Sequence, residues 1–278
     1  MGVTAESRTP RFIIGSVDSG TRSGVVCTIL GEQARHINNV LRLDIGTTIE
    51  ILDVGSPGLP GAFRCTLVDV RKREAVAEID SELEIPAALP INVMVGLAKP
   101  KACDEIVEKC VELGISSVSF FNADRSQGSI KPKQLKERLQ RFERVSAAAM
   151  KQSGFQSPLP RVNYHPDLVG ALRSTLTKDS SDKGHALKIL LSTASCNCEQ
   201  VADNTTISSR NLLKQLLFEN SLKTAECYLI IGPEGGLSDS EENAARSHGF
   251  QAVSLGAKIL RVETAAAAAA ALAAAVLS

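Results

Sequence analysis

Apolar positions along this chain follow two different periods, and the switch near residue 90 organises the rest. Before it, short β-like runs recur at 11–14, 24–29, 48–53, 62–70 and 75–79. Glycine and proline separate these runs, so a period of two between turn residues predicts the strands of a small β-barrel. One segment departs from that period: within 36–43, Ile37, Val40 and Leu41 stand at helical spacing.

After Pro90 the apolar runs become continuous and are separated by amphipathic stretches. Residues 91–97 read as a buried strand. Ile106, Cys110 and Leu113 form one helical stripe closed by Gly114, and 115–121 read as a second strand. Strand, helix and strand in that order predict a βαβ unit, and hence a parallel sheet. A long helix is predicted from Pro132, a residue suited to the first helical position, with Leu135, Leu139, Phe142, Val145 and Ala149 on its apolar face. Further on, 187–192 predict a strand and 212–218 a helix, while the polar stretches 175–185 and 195–209 predict loops. The expected organisation is a β-barrel domain over 1–85 and an α/β domain over 86–278, with the boundary within 84–90.

The densest pattern lies in 228–265. A short apolar run, Tyr228 to Ile231, stops at Gly232-Pro233, and Gly232, Gly235 and Gly236 bracket Glu234. Those glycines can take positive φ and let backbone N–H groups approach a ligand closely. Ser238 with Glu241 forms a capping box, predicting a helix that runs to about His248 and stops at Gly249. A strand at 251–255 then leads into Gly256 and a second loop carrying Lys258, Arg261 and Glu263, before Thr264 opens an alanine-rich helix. Two glycine loops after consecutive parallel strands would meet at the carboxyl edge of the sheet, where such sheets bind ligands. The spacing is neither GxGxxG nor GxxxxGK[ST], which removes the dinucleotide and P-loop readings. Taken singly, the glycines also fit a plain tight turn, and Arg261 with Glu263 fits a surface pair.

Composition narrows the class. With 278 residues, 44% hydrophobic and 22% charged, the chain is long enough for two domains. Its longest apolar candidate, 265–277, is mostly alanine and too short for a bilayer, and no charged leader with an apolar core opens the chain, so a cytoplasmic location is expected. The seven cysteines (27, 65, 103, 110, 196, 198 and 227) lack paired CxxC spacing, which predicts reduced structural thiols and no metal site. Net charge is zero, yet from Arg125 to Arg161 nine bases face two acids. That clustering is the electrostatic footprint of phosphate contact, although a solvated helix face would look the same. The first 85 residues hold nine bases against twelve acids, so any RNA grip there must be local. With no Trp and two Tyr, shape and backbone recognition of folded RNA fits better than base stacking.

GPEGG, the GLSDSE after it and LGAKILRVETA resemble the RsmE family of SPOUT methyltransferases. The similarity continues through KPKACDEIVEKCVELG, DRS and AAAMKQSG, and near the N-terminus through RFI and HINNVLRLDIG. The resemblance implies a SPOUT α/β domain with a C-terminal trefoil knot and a PUA-like RNA-binding barrel. It also implies a homodimer and an S-adenosylmethionine-dependent transfer of methyl to N3 of a uridine in 16S ribosomal RNA of the small subunit. Cofactor contacts would then come from Leu191, Ser192, Thr193, Ile231, Gly232, Pro233, Glu234, Gly235, Gly236, Leu255, Gly256, Ile259, Leu260 and Thr264. RNA contacts would come from Arg11, His36, Arg42, Lys99, Arg125, Lys151, Gln152 and Lys258.

N3 of uracil carries a proton at neutral pH, so transfer there needs a base and a stabiliser of the resulting anion. Glu263 or Glu234 suits the first task and Arg261 the second. The chain departs from the family pattern at Pro100, Lys101 and Ala102, at Phe155, at Lys258 and in the loop 192–194. None of these touches GPEGG or RVETA. The alternatives are a SPOUT enzyme acting on a ribose 2′-hydroxyl and a catalytically decayed RNA-binding assembly factor. The smooth alanine helix, Ala269 and Ala273 included, is expected to pack at or beside a two-fold interface.

Overall fold

Five strands take up the period-two runs of the first domain: β1 (Arg11–Ile14), β2 (Val26–Leu30), β3 (Thr48–Asp53), β4 (Gly61–Val70) and β5 (Glu74–Leu83). This computed structural model describes residues 9–14, 26–53, 61–153, 158–176, 185–192, 224–256 and 258–277. The sheet order is β1-β3-β4-β5-β2, antiparallel except where β1 lies parallel to β3. Alternation does what the sequence expects: along β2, Cys27 and Ile29 are buried while Val26, Thr28 and Leu30 are exposed. One face of the sheet gathers Phe12, Ile29, Ile37, Ile49, Ile51, Cys65, Leu67, Ala75 and Ala77 into a core. The helical segment begins earlier than its pattern suggested. An α-helix α1 (Gly31–Arg35) precedes a π-helical stretch, His36–Leu41, which ends where Arg42 turns left-handed with φ of 51°.

The chain divides into two compact units, residues 1–87 with 150–158, and residues 88–149 with 159–278. The second is a six-stranded, wholly parallel sheet of β6 (Leu89–Gly96), β7 (Ile115–Phe121), β8 (Arg161–His165), β9 (His185–Leu191), β10 (Thr224–Ile231) and β11 (Gln251–Val253). Its order is β11-β9-β10-β6-β7-β8. Helices α2 (Pro100–Glu112), α3 (Pro132–Ser153), α4 (Leu168–Leu176), α5 (Asp239–Ser247) and α6 (Val262–Leu277) follow their strands. Ile91, Val93, Val95, Leu229 and Ile231 pack on one side with residues of α2, α3 and α6. Met94, Leu190, Tyr228 and Ile230 pack on the other with Leu168, Leu172, Ala245 and Phe250. Burial on both faces is why these strands read as unbroken apolar runs.

Four expectations are revised. Strand β8 and helix α4 were not foreseen, and α4 runs to Leu176, into the stretch expected to be a loop from 175. Strand β11 ends at Val253, short of 255. Helix α6 starts at Val262, two residues before Thr264. Most consequentially, the alanine face expected at a two-fold interface lies inside the protomer: Ala269 and Ala273 are wholly buried where α6 packs on α2, β6 and β10. Small side chains let the helix lie close against the sheet, so charge placed there would disrupt the core. The helix expected at 212–218, the loop at 195–209, Thr193, Cys196 and Cys198 lie outside the described residues. Among the described residues no helix is long and apolar enough to cross a membrane.

Candidate active site at the carboxyl edge of the parallel sheet

Register brings the predicted loops together. Ile231 stands beside Leu191 on one side and Val95 on the other, and Leu191 stands beside Val253. The chain therefore leaves β9, β10 and β11 at one level, at Ser192, Gly232 and Ser254. Two of these exits are tied down. Ser192 donates its N–H to the Val253 carbonyl and its hydroxyl to Glu242 Oε1 at 2.7 Å. Ser254 Oγ accepts the Gly256 N–H at 3.2 Å and donates to the Gly256 carbonyl at 2.8 Å.

The glycines of GPEGG work differently from one another. Only Gly236 has positive φ, at +71°. A Cβ on Gly232 would lie 3.0 Å from the Leu237 nitrogen, and one on Gly235 3.0 Å from Arg125 Cβ. At those two positions the constraint is the close approach of the turn to itself and to Arg125, while of the three glycines able to take positive φ it is Gly236 that does so. Gly96, which sequence reasoning passed over, matters more: its Cβ would lie 2.5 Å from Pro233 Cδ and 2.7 Å from the Pro233 nitrogen.

A second group braces the turn from outside. The capping box forms as expected, with Ser238 N–H donating to Glu241 Oε2 at 2.8 Å. Glu241 Oε1 also accepts the Asp124 N–H at 3.0 Å, Ser238 Oγ donates to Asp124 Oδ2 at 2.6 Å, and Arg125 Nη1 donates to the Leu237 carbonyl at 3.1 Å. The DRS segment is thus a clamp on the GPEGG turn, and Arg125 takes part in that clamp where RNA contact alone was expected. Glu241→Ala removes two acceptors from backbone donors, so it is expected to cost about 2 kcal/mol in urea unfolding, with Glu241→Gln intermediate.

Arg261 and Glu263 flank Val262, whose side chain is buried in the core and pins the start of α6. The Arg261 carbonyl accepts the Ala265 N–H at 2.8 Å, which places Arg261 at the helix N-terminus with Glu263 in the first turn. Among the described residues Arg261 forms no ion pair with Glu263 or Glu234, so the ordinary surface-pair reading is not realised. Glu234 is exposed, its Oε1 3.5 Å from the Lys99 N–H. Ile259 is 85% exposed and Leu260 36%. Two uncovered apolar side chains beside open backbone turns suit the adenosyl group of the expected cofactor, and a Cβ on Gly236 or Gly256 would meet nothing within 4 Å. Lys258 and Thr264 are exposed in the same segment, and Leu255 is half-buried. Among the described residues no cluster of His, Cys, Asp and Glu could hold a metal ion, and Cys27, Cys65, Cys103, Cys110 and Cys227 are free and buried.

The residues expected to touch RNA from the first unit are partly engaged. Arg11 Nε pairs with Glu50 Oε2 at 2.8 Å. His36 is exposed, with its ring edge-on to Phe12 at 6.4 Å between centroids, and Arg42 is exposed. Lys151 donates to Gln33 Oε1 at 2.7 Å, and burial pushes its ammonium below the usual lysine range. It is a half-buried anchor within that unit, and Gln152 beside it is exposed.

Comparison with known proteins places this geometry. Residues 86–274 match the RNA methyltransferase domain family. The chain is 27% identical over 257 residues to a Bacillus subtilis ribosomal RNA small subunit methyltransferase E, covering 92% of each chain. It is 29% identical over 240 residues to the protein of that name from Synechocystis, covering 86% of this chain and 69% of the relative. In three dimensions it resembles the Neisseria gonorrhoeae ribosomal RNA small subunit methyltransferase E crystallised with S-adenosyl methionine, with a TM-score of 0.71, 26% identity, and 95% and 96% of the two chains covered. The family match spans well over half of the chain: it belongs to the RNA methyltransferase domain family, in the small subunit methyltransferase E group.

Proposed function

We propose that this chain is an S-adenosylmethionine-dependent methyltransferase acting on N3 of a uridine in small-subunit ribosomal RNA. The observation that carries the reading is that β9, β10 and β11 end at one level of the sheet, with Arg261 and Glu263 at the start of the next helix. The relatives' names and the cofactor in the gonococcal structure support the same assignment.

The cofactor supplies an electrophilic methyl group on a sulfonium. Leu191, Ser192, the turn 231–236 and the segment 255–260 would hold it, with backbone groups for its polar atoms and Ile259 and Leu260 for its apolar surface. Glu263 or Glu234 accepts the N3 proton, directly or through water. Arg261 then stabilises the charge shared by N3, O2 and O4, reinforced by the positive end of α6. The rest of the acceleration comes from holding N3 in line with the methyl group, which requires the base to leave its stack.

The proposal extends to architecture. Chain passage supports a trefoil knot, since β11 lies at one edge of the sheet while α6 returns across β9 to pack on β10 and β6. The curled five-stranded sheet would be a PUA-like domain presenting His36 and Arg42 to RNA. A homodimer in the cytoplasm completes the reading, and light scattering that gave a monomer under conditions of full activity would remove the dimer.

The deciding experiment incubates purified protein with deuteromethyl S-adenosylmethionine and small-subunit RNA, free or assembled, followed by nucleoside mass spectrometry. Labelled N3-methyluridine is the expected product. Labelled 2′-O-methyl nucleoside would move the acceptor to the ribose, and cofactor binding without any transfer would support a decayed enzyme.

A further inference from the structure

Beside the GPEGG turn lies a cavity of about 480 Å³ whose walls are the two residues after β6 (Leu97, Ala98), Lys99 and Pro100 at the start of α2, the loop 127–130, and one face of α3. Its charge is uneven. Lys99, Arg138, Arg141 and Arg144 line it against Glu137. Arg141 is already neutralised by Asp104 through bonds of 2.6 and 2.9 Å, which leaves three cations facing one acid. Arg138 is held in place, its guanidinium carbon 5.2 Å from the centroid of Phe142, itself fully buried. The arginines recur every three residues, so they share one helical face.

We infer that this cavity is the seat of one nucleotide of the RNA substrate, gripped through its phosphate by Arg138, Arg144 and Lys99. The inference rests on the methyltransferase reading above and supplies a phosphate site for it. Three observations point to RNA backbone over a small free anion. The volume falls in the range that accepts a nucleotide-sized ligand. The basic face continues beyond the cavity through the exposed Lys131, Lys133 and Lys136, a track that a polyanion uses and a single small anion does not. The cavity also adjoins the cofactor turn, through the Lys99 N–H and Glu234 Oε1 at 3.5 Å, so a nucleotide held there leaves its neighbour within reach of the transferred methyl. Arginine suits this task, because its planar fork meets two phosphate oxygens at once.

The test measures binding of a fluorescent small-subunit ribosomal RNA transcript by anisotropy across a potassium chloride series, together with cofactor affinity by calorimetry and the melting temperature. Arg138→Gln with Arg144→Gln is expected to weaken RNA binding at least tenfold at about 0.15 M salt. It should also flatten the slope of log K against log salt by about one to two, with cofactor affinity and melting unchanged. Arg138→Lys with Arg144→Lys should restore most of the slope while leaving affinity reduced. Arg173→Gln, on α4 across the sheet, should leave both unchanged. If the glutamine pair kept wild-type affinity and slope in a protein that still methylates RNA, the cavity would not be a phosphate site and the proposed function would stand. If the wild type transferred no methyl to RNA, that function would fail and the cavity assignment with it.

Discussion

Arg261→Ala is expected to lower kcat by about 10²–10³ while leaving S-adenosylmethionine affinity nearly unchanged, because the partner assigned to this guanidinium is a charge that exists only as the uracil proton leaves. The geometry makes the expectation selective. Arg261 is exposed, and the adjacent Val262, buried in the core, fixes the loop and the helix start without it. Truncation should therefore leave the cofactor cradle in place. Calorimetry with the cofactor and single-turnover methyl transfer to RNA separate the two effects. Wild-type turnover would remove Arg261 from the chemistry, and an equal loss of cofactor affinity would make it a binding residue. Arg261→Lys keeps the charge and loses the planar fork, so it should fall between.

How much of this was legible in the sequence depends on how local the determinants are. The capping box at Ser238 and Glu241, the stop at Gly249 with φ of +87°, and the start of α3 at Pro132 are set by residues within one helical turn, and each appears where the pattern put it. The two glycine loops were legible for the same reason. Strand β8 was not: at the edge of the sheet its residues are exposed or half-buried, so RVNYH carries no apolar run. Its helix α4 hides an N-terminal signal in Asp167, whose Oδ1 accepts the Gly170 N–H at 2.6 Å, because Gly170 inside the helix argues the other way. The alanine helix misled for a physical reason: a smooth surface permits close approach to any partner, and here the partners are α2 and the sheet of the same chain. Contacts between distant segments were the least legible part. Ser192 with Glu242, Asp124 with Glu241, and Gly96 with Pro233 join residues 50 or more positions apart, and no spacing in one sequence pairs them.

Gly96→Val is expected to weaken S-adenosylmethionine binding at least tenfold, or about 1.4 kcal/mol, in a protein that is itself destabilised by about 1–3 kcal/mol. The glycine ends β6 at the level where β10 gives way to Gly232-Pro233, and a Cβ there would overlap both the ring and the nitrogen of Pro233, at 2.5 and 2.7 Å. Neither can yield cheaply. Pro233 is buried, Ile231 before it is fixed in register with Val95 and Leu191, and the Pro233 carbonyl accepts the Gly236 N–H at 2.8 Å. The added side chain must therefore move the turn as a unit, carrying with it the backbone groups assigned to the cofactor. Gly128→Ala is the control, since a Cβ there would meet nothing within 4 Å and its φ is not in the left-handed region; stability and cofactor binding should both persist. Urea unfolding gives the first quantity and calorimetry on the folded fraction the second. A folded Gly96→Val protein with wild-type cofactor affinity would mean that the turn 232–236 does not hold the cofactor, and the site would have to be sought in the loops after β9 and β11 alone.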